Sequence, residues 1–170
     1  RTTVDRNDRV RTVLLTAGAG GVGLLLTQLA VAAGARVATI VSSDEKAALS
    51  RDAGAELVLH YDDDVPARIR DWTGDRGADD PGVDVVFDGV GKATFDVSLQ
   101  CARVRGLVAL FGAASGAVPP MDPQQLNQHG SLFLTRPHLR HFIRDRAELS
   151  HRAGEVLSRI ADGTLRVRVG

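Results

Sequence analysis

This sequence of 170 residues has one cysteine, Cys101. A disulfide framework and a cysteine-built zinc site are therefore excluded. Lysine is nearly as scarce: Lys46 and Lys92 stand against a background of arginine. No Lys/Arg-rich run occurs and the formal net charge is zero, so the electrostatic footprint of a nucleic-acid binder is missing. No stretch approaches the roughly 20 apolar residues of a membrane helix. The first ten residues, RTTVDRNDRV, are polar and carry no signal-peptide core. A cytoplasmic protein with neither a nucleic-acid nor a membrane partner is the expectation. What the chain does have is 44% hydrophobic residues, enough for a real core.

Those residues fall in a rhythm. Short apolar runs at Val10–Thr16, Arg36–Val41, Leu57–His60, Val83–Phe87, Leu107–Phe111 and Leu132–Thr135 read as strands. Between and after them, Gly23–Ala33, Asp44–Ala53, Asp64–Trp72, Lys92–Ala102 and Asp145–Ala161 read as helices, the second with Ser43 as N-cap. Strands that alternate with helices of about ten residues imply βαβ units. Near-continuous apolar strands imply helices on both faces. The expected fold is α/β: one Rossmann-type domain with a doubly wound, parallel, six-stranded sheet. Leu165–Val169 (LRVRV) alternates in period two and reads as one more, half-exposed strand.

The stretch TAGAGGVG at 16–23 lies between the first strand and the first helix. Gly18, Gly20 and Gly23 fit G-x-G-x-x-G. By itself the pattern also fits a tight strand-to-helix turn. Its place inside a βαβ unit of about 30 residues makes dinucleotide binding the stronger reading. One glycine permits the turn, one lets backbone approach a pyrophosphate, and one lets helix and strand pack. The free N–H groups at the helix start attract the phosphates. An NAD site usually has Asp or Glu at the end of the second strand. Here Ser42 follows that strand and Lys46 lies one helical turn on, a point charge suited to a 2′-phosphate. This favours NADP(H). The alternative for Lys46 is an exposed helix lysine paired with Asp44 or Glu45.

Several segments resemble a known family. AGAGGVG at 17–23, DGVGKATF at 88–95, LFGAASGAV at 110–118 and SLFLTRPHL at 131–139 are similar to segments of the medium-chain dehydrogenase/reductase superfamily, in its zinc-free quinone oxidoreductase (zeta-crystallin-like) branch. The TRP tripeptide is the most specific of them. The resemblance implies that Gly20, Gly21 and Val22 lie along the pyrophosphate and that Ser42 and Lys46 flank the 2′-phosphate. It places Tyr61 by the adenosine ribose and phosphate, and Gly89 and Val90 along the cofactor. Phe111, Gly112 and Ala113 would line the nicotinamide end. On the residues alone, Tyr61 can equally be a surface aromatic and Phe111 a core residue.

The implied activity is hydride transfer from NADPH to a quinone or related enone. The alternatives are an enoyl reductase of the same superfamily and a dinucleotide-binding module without turnover. The resemblance also implies a homodimer formed through the edge strand Leu132–Thr135. The family's N-terminal GroES-like barrel has no counterpart here, so the chain reads as the cofactor domain alone. No catalytic acid/base pair is expected, and no metal: the five histidines are scattered, with only His138 and His141 close in sequence. Asp88 is expected to face the cleft, Asp79, Asp80 and Asp84 to be solvated, and Cys101 to sit in the core.

Overall fold

The computed structural model describes residues 11–74 and 80–168. Six strands form one sheet: β1 (Thr12–Leu15), β2 (Arg36–Val41), β3 (Leu57–His60), β4 (Val83–Asp88), β5 (Ala102–Leu110) and β6 (Phe133–Thr135). Their order is β3-β2-β1-β4-β5-β6 and every neighbouring pair is parallel. The chain reaches β3 on one side of β1 and resumes at β4 on the other. A crevice must open there, outside the carboxyl ends of β1 and β4.

Alternating side chains of β1 feed two apolar clusters. Leu14 joins Ile40, Leu59, Ile69, Val86, Leu99 and Val108 on one face. Val13 and Leu15 join Val37 on the other, against Leu26 and Ala30. The first face is covered by α3 (Val65–Gly74) and α4 (Phe95–Cys101), the second by α1 (Gly21–Ala32). Cys101 belongs to the first cluster, and burial pushes its thiol up to about 12. α2 (Asp44–Asp52) begins with Ser43 accepting the Lys46 N–H, so the expected cap is the observed one.

Elsewhere the elements differ from the sequence-based expectation. α4 starts at Phe95, not Lys92, because the backbone before it is engaged elsewhere. Lys92 N–H donates to Gly116 O and Ala93 N–H to Ser115 Oγ. β5 begins at Ala102, five residues early, since Ala102 pairs with Val83 across an irregularity in the ladder. α5 (Gln124–Gln128) carries no strong apolar period and was not expected. α6 (Arg146–Ala161) is present, capped by Asp145, but buries none of its residues.

LRVRV makes no strand over its described residues 165–168. The Gln28 amide takes the place of a partner strand, donating to Arg166 O and accepting from Arg166 N–H at 3.0 and 2.8 Å. Leu165 is buried beside it. Asp84 is not solvated either. Its carboxylate accepts from Thr12 N–H at 2.7 Å and pairs with Arg103 Nε at 2.6 Å. Asp80 accepts from Val104 N–H. Asp79, Val10 and Val169 lie outside the described residues. Among the described residues no helix is long and apolar enough to cross a membrane.

Candidate cofactor-binding site

Parallel pairing puts the carboxyl ends of all six strands on one edge of the sheet. The glycine turn follows β1 there, Ser42 follows β2, Tyr61 follows β3, Gly89 and Val90 follow β4, and Phe111 follows β5. The site residues expected from sequence therefore share one edge, flanking the crevice.

Within the turn the glycines divide by role. Gly18 and Gly23 are buried. A Cβ on Gly18 would overlap the side chain of Thr39 on β2, and one on Gly23 would overlap the Ala17 carbonyl oxygen. Both serve packing. Gly20, Gly21 and Val22 are exposed, and a Cβ on Gly21 would meet nothing within 4 Å. Helix α1 starts here on Gly20 with no side-chain cap and no acidic residue in its first turn. Its N–H groups and positive end are left for another acceptor. These N–H groups could hold a pyrophosphate, with open space at Gly21 beside them.

The turn is strained at one point: Ala17 has φ 52°, a left-handed backbone that alanine adopts at a cost. Its N–H donates to the Tyr61 hydroxyl at 3.1 Å, and its carbonyl accepts from Gly20 N–H at 2.9 Å. Tyr61, which follows β3, thus braces the turn. Partial burial raises its phenol above the usual value, the Ala17 N–H opposes that, and the charge of Asp88 adds to it. After β2, Lys46 Nζ donates to Ser42 Oγ at 2.8 Å. Both residues are exposed, and Lys46 pairs with Ser42 instead of with Asp44 or Glu45. Asp44 lies 3.5 Å from His60 Nε2. A lysine held beside a hydroxyl at the end of β2 is a ready phosphate contact.

The loops after β4 and β5 form the other wall. Phe111 and Gly112 N–H groups both donate to the Asp88 carbonyl. A Cβ on Gly89 would press on the Phe111 ring at 2.8 Å, and Gly112 sits directly against Gly89. Phe111 is half-buried, so it is both a wall and a packing residue; Ala113 is exposed. Asp88 does not face the cleft. It is fully buried, and its carboxylate accepts from Thr16 Oγ1, Val90 N–H, Gly91 N–H, Thr94 Oγ1 and Ser98 Oγ at 2.8 to 3.0 Å. Sequence reading missed this knot. Its one visible signal was the Thr94 hydroxyl, six residues after the acid and ahead of a helix. Among the described residues no three His, Cys, Asp or Glu side chains are grouped to hold a metal ion.

The profile of the zinc-binding dehydrogenases matches residues 21–161. The chain belongs to that family. Within it the relatives mark the quinone oxidoreductase branch. A quinone oxidoreductase of Salmonella typhimurium is 43% identical over 92% of this chain and 46% of its own length. A 2-haloacrylate reductase of a Burkholderia species is 37% identical over 90% of this chain and 45% of its own. Among solved structures, the Escherichia coli quinone oxidoreductase complexed with NADPH superimposes with a TM-score of 0.87 at 40% identity, over 94% of this chain and 48% of that one. A mycobacterial protein complexed with NADPH gives the same TM-score at 53% identity, over 95% and 49%. The chain spans about half the length of the relatives it matches. The six-stranded parallel sheet is thus the fold of the dehydrogenase/reductase cofactor domain.

Proposed function

We propose that this chain is the NADPH-binding part of a quinone oxidoreductase. The observation that carries the reading is the uncapped start of α1 at Gly20–Gly23, with Tyr61 bonded to the glycine turn and the Ser42–Lys46 pair at the end of the neighbouring strand β2. In this reading Gly20, Gly21 and Val22 receive the pyrophosphate, and Ser42 and Lys46 the 2′-phosphate. Tyr61 lies by the adenosine ribose, Gly89 and Val90 border the cofactor, and Phe111, Gly112 and Ala113 line its nicotinamide end.

Bound there, the cofactor supplies a hydride from its ring. The chain's own residues hold and orient it. A quinone that accepts the hydride takes its balancing proton from solvent, so no side-chain acid is required. The relatives named quinone oxidoreductase favour a quinone as acceptor, and the relative named 2-haloacrylate reductase favours an activated carbon–carbon double bond as the second reading. A cytoplasmic setting accords with both.

We also infer that two copies associate through β6. It is the last strand of the sheet, and Phe133 and Leu134 on it are 63% and 36% exposed. An apolar edge strand is stable in solution when it is paired or covered.

Lys46→Ala tests the cofactor assignment. It should weaken NADPH about tenfold or more and leave NADH nearly unchanged. Equal loss for both would remove Lys46 from the 2′-phosphate. NADPH consumption with a benzoquinone and with an unsaturated carboxylate, side by side, separates the two acceptor classes.

A further inference from the structure

Asp88 carries more charge than its hydrogen bonds require. Its carboxylate is fully buried, and among the described residues the groups that touch it are donors: two backbone N–H groups and the hydroxyls of Thr16, Thr94 and Ser98. Among the described residues no Lys, Arg or His pairs with it. A neutral asparagine would accept the same two N–H groups, and its amide would donate to hydroxyls free to rotate. An uncompensated buried charge is costly, and hydrogen bonding alone does not call for it.

Its place is the second observation. Asp88 ends β4, at the crevice. Thr16, which it holds, precedes the glycine turn and accepts from Gly89 N–H. Val90 and Gly91 hang on its carboxylate, Phe111 and Gly112 on its carbonyl. The charge therefore lies beneath the loops assigned to the nicotinamide end. We propose that Asp88 is an electrostatic positioning residue that favours the oxidised, cationic nicotinamide ring over the neutral reduced one, and so favours departure of the hydride. This rests on the cofactor reading above.

The charge balance is simple. Loss of a hydride, one proton with two electrons, leaves the ring one unit more positive, and the acceptor takes up the hydride. The phosphates are the same in both forms, so any repulsion from Asp88 cancels in their ratio. The field also reaches the cleft wall at Tyr61, where it adds to the upward push on the phenol.

The test is the ratio of dissociation constants, NADP+ over NADPH, by calorimetric titration of this chain. Asp88→Asn should raise the ratio about threefold or more. Ser98→Ala keeps the charge and removes one hydrogen bond; it should lower the melting temperature and leave the ratio alone. A structural defect weakens both forms alike, so an unmoved ratio in a folded Asp88→Asn variant overturns the proposal. If circular dichroism shows that variant unfolded, Lys92→Glu serves instead. Lys92 is exposed on the loop that Asp88 holds, and reversing its charge should lower the ratio; no change overturns the proposal. Failure of the unmodified chain to bind either form would strike the cofactor reading itself, whereas binding with an unmoved ratio strikes only the role of Asp88.

Discussion

Gly21 and Gly23 are two positions apart and answer to different demands. Gly23 is fixed by packing: a methyl there runs into the Ala17 carbonyl and the Gly18 backbone. Gly23→Ala should cost about 2–3 kcal/mol of folding stability, measured by denaturant titration. Gly21 has open space around its Cα and lies in the first turn of α1. Gly21→Ala should leave stability equal or slightly higher, since alanine favours helix. If the pyrophosphate passes there, the same methyl should weaken NADPH binding. A Gly21→Ala protein that binds NADPH as well as the parent would move the cofactor away from this turn. Ala17 shows a third demand. Its left-handed backbone is held by Tyr61, so Tyr61→Phe should loosen the turn and weaken NADPH more than it lowers stability.

At the scale of elements, strands and helices were legible wherever apolar residues kept a period. β2 and β3 agree with their expected bounds residue for residue because each run stops at a polar turn. Misplaced bounds lie where backbone groups choose partners that no period encodes. α4 begins late because Lys92 and Ala93 are tied to the β5 loop. LRVRV has a strand's alternation but no partner strand among the described residues, and the Gln28 amide takes the hydrogen bonds of Arg166. The glycine turn, Ser42 and Tyr61 could be named from sequence because each follows directly on a strand, and Lys46 because it lies one helical turn beyond Ser42. Asp88 was misread because strand position gives the edge of the sheet, not the direction of a side chain that five donors hold inward. Asp84 was misread for a like reason, since its partners Thr12 and Arg103 are far off in sequence. It joins the start of β1 to β4 and β5. Asp84→Ala should therefore cost about 2 kcal/mol, by leaving the Thr12 N–H and the Arg103 guanidinium short of an acceptor. A cost near zero would mean that solvent replaces the carboxylate freely.

At the scale of the whole molecule, several large apolar side chains late in the sequence are exposed among the described residues. α6 buries nothing, and Phe133, Leu139, Phe142 and Leu157 are each more than 45% exposed. If β6 pairs with its copy, light scattering should give a dimer, and Phe133→Arg should give a monomer with an unchanged circular dichroism spectrum. A monomeric parent chain would contradict that pairing. The central claim concerns the uncapped start of α1 after β1 and the lysine held by a serine after β2. Calorimetric titration with NADPH and, separately, with NADH tests it most directly. The account predicts saturable binding of NADPH at least about tenfold tighter than NADH. Equal binding of the two would contradict the role of Ser42 and Lys46, and tighter NADH would contradict the cofactor assignment itself.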